Sequence, residues 1–251
     1  MIKFFRKIRQ RMLKENKFSK YLFYAIGEIV LVVIGILIAL QINNWNESRK
    51  ERFQEIKFYE NLLVSLSADS TDVARIMRAI NDGMNAQKFF IGNSYQDLND
   101  NYTIQQIEDS LKIIDQIGSS FFPRFSAYNQ LSNSGFQTLL QSEEIKIKLL
   151  ELYDRRYKRY LQIDASIDVK AEFNLAEIIN GDLQIFRDES NIRPASPFDI
   201  KKFEKYYQQL VREFSSLLIT GENALDSLQN CQDSINELLS LIRAELEHLK
   251  N

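Results

Sequence analysis

Cysteine and histidine are almost absent from this chain, which has one of each among 251 residues. Cys231 has no second cysteine with which to pair, so a fold held by an internal disulfide is excluded. His248 lies close to the end of the sequence, where neither a Ser-His-Asp triad nor a multi-histidine metal site is expected. We therefore predict no catalytic residue, no metal site and no cofactor.

Proline and glycine are also scarce, with three and eight residues. Because these residues punctuate turns, their scarcity indicates few turns and long helices. No stretch alternates apolar and polar residues for long enough to form a strand. The sequence also lacks a glycine-rich phosphate loop, so nucleotide chemistry has no support. The composition predicts an all-α protein.

The formal net charge of -2 conceals an uneven distribution. Eight of the 32 basic residues, but only one of the 34 acidic residues, lie in residues 1–20. This tail therefore carries +7 and the remainder of the chain -9. An acidic remainder does not fit a general nucleic-acid-binding protein.

One long apolar run follows the basic tail, from Tyr21 to Ile42, and reads YLFYAIGEIVLVVIGILIALQI. As a helix these residues extend about 33 Å, which matches the hydrocarbon core of a bilayer. Aromatic residues lie at both ends, as Tyr21, Phe23 and Tyr24 on one side and Trp45 on the other. We predict a transmembrane helix over residues 21–42.

The distribution of basic residues predicts the orientation of this span. Because the basic residues lie before it, the positive-inside rule places residues 1–20 in the cytoplasm and residues 43–251 outside. The localisation expected from this distribution is the cytoplasmic membrane, crossed once. A cleaved signal peptide is the competing interpretation, but the run is too long and no small-residue cleavage pattern follows it. The tail itself is either a short interfacial helix or disordered.

A carboxylate interrupts the apolar run at Glu28, where an isolated charge costs on the order of 3 kcal/mol. Helical spacing places Glu28, Gly35 and Ala39 on one side of the span, and the small pair allows a second helix to approach. These three residues are the predicted contact, with another copy or with a membrane partner. The alternative is a carboxylate that reaches the water of the inner headgroups.

Residues 43–251 are predicted to form an antiparallel bundle of long helices. In its first helix, expected over residues 47–91, apolar residues follow a 3-4 spacing: Ile56, Tyr59, Leu63, Leu66, Val73, Met77, Ile80 and Met84, with Ser70 among them. A polar loop is expected at residues 92–102. Capping residues predict further helices after Thr103, Ser126, Ser142 and Asp199. Gly221 is expected to kink or divide the last of these helices.

The densest cluster of aromatic and basic residues is Tyr153–Tyr160, which reads YDRRYKRY. Rings and guanidinium groups together can bind an anion or a glycan, so the predicted contact residues are Tyr153, Arg156, Tyr157, Arg159 and Tyr160. The alternative is that the tyrosines cover the bundle edge with their hydroxyls in water, while the basic groups form an outer face.

Two segments resemble a known family. Residues 1–47, from MIKFFRKIRQRML to QINNWNE, are similar to the N-terminal signature of an uncharacterised family of bacterial single-span membrane proteins. Residues 126–135 (SAYNQLSNSG), followed by a leucine-rich helix, are similar to its central segment. The resemblance implies a membrane location in the cell envelope, and it supplies no reaction, ligand or catalytic residue.

The sequence favours a membrane-anchored envelope protein with a non-enzymatic binding or scaffold role. The expected partners are the lipid bilayer and a membrane protein or second copy at the span, and not nucleic acid. One alternative is a sensory input module that signals through a separate membrane partner. A remote alternative is a membrane-tethered hydrolase that uses carboxylates, although acidic pairs such as Asp164 and Asp168 are interpreted as solvated helix faces.

Overall fold

The computed structural model describes residues 18–134, 140–175, 177–183 and 198–251. Throughout these residues the regular elements are helices, and the prediction of an all-α protein is confirmed. Most of the basic tail lies outside the described residues. The chain divides into two compact units, one through Glu55 and one from Ile56. The outer domain predicted from the sequence begins at residue 43, before the boundary between the two units.

The first unit contains the start of helix α1, which runs from Phe18 to Ile91. Between Leu22 and Ile42 the large apolar side chains that the structure describes are exposed, with Phe23 and Leu31 more than 70% exposed. This stretch is long and apolar enough to cross a membrane. Its apolar side chains therefore have no protein core around them.

In the second unit α1 forms one wall of the core. Tyr59, Leu66, Val73 and Ile80 are spaced by seven residues, and each is fully buried. The other members of the predicted stripe are buried or half-buried beside them. This is the pattern of an amphipathic helix packed on one face, and it confirms the stripe.

Short elements follow α1: helix α2 (Tyr95–Asn101), helix α3 (Ile104–Ile114), a 3₁₀ turn (Asp115–Gly118) and helix α4 (Ser126–Ser134). The prediction of a polar loop at residues 92–102 was wrong, because these residues contain α2. Ser94 Oγ accepts a hydrogen bond from the Asp97 backbone N–H at 3.1 Å, and the Asp97 carboxyl accepts one from the Ser94 backbone N–H at 3.0 Å. This capping box, with Leu98 buried in the core, begins a helix among residues typical of turns.

A middle helical segment covers residues 143–175 and alternates between α and π winding. It consists of helix α5 (Glu143–Leu150), a π segment (Glu151–Tyr157), helix α6 (Lys158–Val169) and a second π segment (Lys170–Leu175). A further π segment is Glu177–Asp182. Ser142 caps the start, as predicted, by accepting a hydrogen bond from the Ile145 N–H at 3.4 Å.

The last helix, α7, runs without interruption from Ile200 to Lys250. Asp199 caps it as predicted, because its carboxyl accepts a hydrogen bond from the Lys201 N–H at 3.0 Å. The predicted division of this helix at Gly221 was wrong. A Cβ built on Gly221 would lie 3.1 Å from Met84 Sδ, so the glycine is where α7 packs closely against α1.

Contacts between side chains give the directions of the long helices. The order of α7 is reversed relative to α1 in the pairs Lys250 with Glu60, Gln232 with Ser70 and Tyr207 with Phe90. It is likewise reversed relative to the middle segment in the pairs Lys148 with Glu237, Arg156 with Asn230 and Lys170 with Ser216. Helix α7 is therefore antiparallel to both, and α1 and the middle segment are parallel to each other. The described residues 92–134 and 140–142 belong to the part of the chain that connects these two parallel helices.

Candidate functional site

The aromatic and basic cluster 153–160 lies where the middle segment changes from π to α winding. In a π segment the hydrogen bonds join residues five apart, so side chains at that spacing come together. Glu151 and Arg156 show this directly, with an ion pair of 2.7 Å between carboxylate and guanidinium. The cluster therefore presents a different set of neighbours from an ordinary α-helix.

Tyr153, Tyr157 and Tyr160 are all fully buried, and the prediction that their rings contact a surface ligand was wrong. The alternative's outer face of basic groups is confirmed, because Arg155, Lys158 and Arg159 are exposed, but it was wrong in placing the hydroxyls in water. The reason is the connector 119–125, which lies over the rings: Phe121 is 5.5 Å from the Tyr157 ring and Phe125 is 5.7 Å from the Tyr153 ring. These tyrosines belong to the core.

Each tyrosine hydroxyl is satisfied inside the protein. Tyr157 donates a hydrogen bond to the Asp69 carboxyl at 2.9 Å, and Tyr160 donates one to the Asp164 carboxyl at 2.8 Å. Tyr160 also accepts one from the Phe121 N–H at 3.3 Å. Burial raises the pKa of all three tyrosines. Tyr153 and Tyr160 therefore bond to the connector, through the Arg124 carbonyl and the Phe121 N–H, and Tyr157 bonds to α1. Asp164 is buried too, so its expected place on a solvated face was wrong.

Asp69 is the centre of a buried polar cluster that sequence reasoning missed. Its carboxyl is fully buried and accepts a hydrogen bond from the Arg124 guanidinium at 2.7 Å, besides the one from Tyr157. Burial raises the pKa of Asp69, and the hydrogen bonds from Arg124 and Tyr157 oppose that change. A signal existed in the sequence, because Asp69 lies three residues after Leu66 and four before Val73, on the apolar face of α1.

The arginines of the cluster lie on the opposite side, at the surface. Together with α7 they form a groove of about 340 Å³, here called the arginine groove, which is lined by Arg155, Arg156, Arg159, Ile163, Asn223, Asp226, Ser227 and Asn230. Arg156 and Arg159, two of the predicted contact residues, are therefore at an accessible site. Arg155 and the whole α7 wall were not predicted, because that wall comes from a helix far away in the sequence.

The three arginines of the groove differ in their partners. Arg156 is held in place by Glu151 and by the backbone carbonyl of Asn230, at 2.7 and 3.2 Å. Arg155 and Arg159 are exposed, and neither forms an ion pair with any residue that the structure describes. Two exposed guanidinium groups without an ion pair among the described residues therefore lie four residues apart along one wall, although Glu151 also interacts electrostatically with Arg155.

The predicted span contact lies within α1 of the first unit. Glu28 is half-buried, while Gly35 and Ala39 are exposed. Glu28 lines a shallow depression together with Ala25, Ile29, Val32 and Val33. A Cβ on Gly35 would meet nothing within 4 Å, so this side of the helix is open to close approach.

Cys231 is buried, as expected of a structural thiol. Burial raises its pKa to about 12, so the thiol is protonated at neutral pH and is a poor nucleophile. In the described ranges, no three histidine, cysteine, aspartate or glutamate residues come together in a way that could hold a metal ion.

Comparison with known proteins gives one match. No curated protein and no solved structure matches the chain. The model of a family of unknown function, DUF6090, matches residues 28–181, which are more than half of the chain and include the open side of the span and the whole cluster 153–160. This chain therefore belongs to the DUF6090 family.

Proposed function

We propose that this chain is a single-span protein of the bacterial envelope with a non-enzymatic binding or scaffold role. The observation that carries the proposal is the exposure of the large apolar side chains described between Leu22 and Ile42, whereas the second unit has a buried apolar core. Apolar side chains exposed along so long a helix need a cover, and lipid is the cover that their length and composition fit.

In this proposal the N-terminal tail is cytoplasmic and residues 43–251 lie outside. The support is the excess of basic residues before the span. The test uses thiol labelling, because the only native thiol is buried. In spheroplasts, a membrane-impermeant maleimide should label Glu222→Cys, and it should label Lys14→Cys only after the membrane is opened. Labelling in the reverse order would contradict the orientation.

The proposed contact at the span is a second transmembrane helix packed against Glu28, Gly35 and Ala39. The open surface at Gly35 permits close approach, and a carboxyl at Glu28 can form a hydrogen bond across the interface. Such a bond is favourable inside a membrane because water does not compete for it. The second helix belongs either to another copy or to a partner protein, and one experiment separates the two.

That experiment is crosslinking in native membranes through a C-terminal tag, followed by mass spectrometry. We expect one stoichiometric neighbour that is lost in Glu28→Leu and kept in Glu47→Leu, a control that makes the same change at an exposed site on the same helix. Self-crosslinks alone would identify another copy. An unchanged set of neighbours in Glu28→Leu would remove this carboxyl from the contact, and no neighbour at all would contradict the scaffold role.

A sensory input module is the second candidate. The observation that favours it is α1 itself, which is a single uninterrupted helix from Phe18 to Ile91 and contains both the apolar run and a wall of the core. A ligand that shifts this helix would alter crosslinking at the span, whereas a scaffold would show the same crosslinks with and without ligand.

The burial and hydrogen bonding of the potentially reactive side chains support a non-enzymatic role. Cys231 is buried and protonated, and the carboxyls of Asp69 and Asp164 are engaged by tyrosine hydroxyls in the core. Neither acid lines the arginine groove. The lining of the arginine groove contains one carboxylate, Asp226, so this groove offers no carboxylate pair to the hydrolase alternative.

A further inference from the structure

Charge is the first property of the arginine groove that bears on a ligand. Arg155 and Arg159 are exposed and lie one helical turn apart, and neither forms an ion pair with a described residue. Glu151, which pairs with Arg156, also interacts electrostatically with Arg155. Like charges at this spacing repel each other along a helix. An oxyanion placed between the two guanidinium groups would remove that repulsion and could accept several charge-assisted hydrogen bonds.

The size of the groove excludes a bare ion as its best occupant. A volume of about 340 Å³ falls within the range of sites for small organic molecules. A single phosphate or carboxylate would fill only the end beside the arginines. The ligand that fits therefore has a body of several heavy atoms attached to its acidic group.

The opposite wall indicates the chemistry of that body. It presents Asn223, Asp226 and Ser227 from α7. An amide and a hydroxyl can donate to and accept from alcohol groups, and a carboxylate can accept from them, whereas none of the three favours an apolar body. Ile163 is the one apolar residue in the lining, and Tyr153, Tyr157 and Tyr160 are buried in the core and do not line the groove. A polar, hydroxylated body fits this wall.

Arg156 links the two walls of the groove. It bonds to Glu151 on its own segment and to Asn230 on α7, so the spacing across the groove is fixed in the absence of ligand. Its buried Nε–H has no acceptor among the described residues. A preformed site of this kind loses little conformational freedom when a ligand binds.

We propose that the arginine groove binds a small acidic carbohydrate, that is, a sugar bearing a phosphate or a carboxylate. The acidic group lies between Arg155 and Arg159, and the hydroxyl groups bond to Asn223, Asp226 and Ser227. This inference rests on the proposed binding role, and it gives that role a site and a ligand class.

The test is calorimetric titration of the full chain in lipid nanodiscs with four probes: glucose 6-phosphate, glucuronate, neutral glucose and inorganic phosphate. One or both acidic sugars should bind at millimolar concentration or below, and neutral glucose should not. The stronger of the two acidic sugars identifies the acidic group. Equal binding of inorganic phosphate and glucose 6-phosphate would overturn the proposal, because the sugar body would then contribute nothing. Absence of binding by all four probes would overturn it too.

Variants connect the binding to the groove. Arg155→Ala with Arg159→Ala should weaken binding of the acidic sugar by about tenfold or more. The matched control, Arg212→Ala with Arg243→Ala, removes two exposed arginines of α7 outside the groove and should bind like the wild type. Asn223→Ala should weaken the acidic sugar without changing the response to inorganic phosphate. Equal losses in the groove and control variants would show a general charge effect and contradict the site.

These experiments distinguish failure of the carbohydrate site from failure of the proposed function. The same nanodisc sample reports whether the chain integrates in lipid, and the crosslinking experiment reports whether it has a neighbour. Loss of sugar binding with both of these intact overturns the carbohydrate site alone. A chain that does not integrate in lipid overturns the proposed function, whatever the groove binds.

Discussion

Two stretches of helix α1 differ in the exposure of their apolar side chains. In the second unit Leu66, Val73 and Ile80 are fully buried, whereas in the apolar run Leu31 and Leu37 are 72% and 58% exposed. The stretch in the second unit is apolar on one face, whereas the apolar run is apolar on all faces. Amphipathic spacing therefore marks the part of the helix that a protein core covers, and uniform apolarity marks the part that lipid would cover.

This comparison predicts that truncating an apolar side chain lowers the free energy of unfolding most in the second unit. Leu66→Ala should lower the free energy of unfolding of the second unit by about 2–5 kcal/mol, because it removes a fully buried side chain from a packed core. Leu31→Ala should change it by less than about 0.5 kcal/mol. Urea unfolding of the full chain in nanodiscs, followed by near-UV circular dichroism, measures both. Equal effects would mean that the two stretches are not covered differently.

Alkaline pH should also act on the second unit. Burial raises the pKa of Tyr153, Tyr157 and Tyr160 above the ordinary value of 10.0. Between the ordinary and the raised value the folded chain binds more protons than the unfolded chain, so stability falls as pH rises. Above about pH 10 each tyrosine should add a loss of up to about 1.4 kcal/mol per pH unit.

The midpoint of urea unfolding as a function of pH checks this prediction, with tyrosine ionisation followed by absorbance. Ionisation should coincide with unfolding of the second unit, while the helical signal of the lipid-embedded span persists. Ionisation of these tyrosines in a chain that stays folded would contradict their burial.

A smaller loss is expected when one of the buried hydroxyls is removed. Tyr157→Phe keeps the ring but leaves the Asp69 carboxyl with one hydrogen bond fewer, which should cost about 1.5–3 kcal/mol. Tyr102→Phe is the control, because Tyr102 lies at the surface and keeps its ring contact with Phe89. Similar unfolding midpoints for the two variants would show that the Asp69 cluster is not part of the stabilising core.

The smallest effect on stability is expected in the arginine groove. Arg155→Ala with Arg159→Ala should change the free energy of unfolding by no more than about 0.5 kcal/mol, since both side chains are exposed and lack an ion pair among the described residues. Thermal unfolding without ligand measures this. A large destabilisation would assign these arginines to the fold and would remove the basis for a binding site.

Much of the fold could be predicted from the sequence because its signals are local. The seven-residue spacing of Tyr59, Leu66, Val73 and Ile80 and the caps at Ser142 and Asp199 act within a few residues of chain. The apolar run is likewise a local property of composition. The helix at Tyr95–Asn101 was missed because its turn-forming residues also form a capping box.

The candidate site could be predicted only in part. Arg156 and Arg159 were found from local composition, but the burial of the tyrosines depends on Phe121 and Phe125, which fold over them from another part of the chain. The α7 wall of the groove depends on the antiparallel register of two helices, and no local pattern specifies that register. The π winding at Glu151–Tyr157 also has no clear signal in the sequence.

The central claim is that lipid covers the exposed apolar run of α1, and alkaline carbonate extraction of native membranes tests it most directly. The wild-type chain should remain in the membrane pellet, and Leu31→Arg with Leu37→Arg should shift it to the soluble fraction, because each arginine near the middle of a span costs about 3 kcal/mol. Val64→Arg with Ile219→Arg, a control at exposed apolar positions of the second unit, should remain in the pellet. Release of the wild-type chain, or equal retention of the span variant, would contradict the claim.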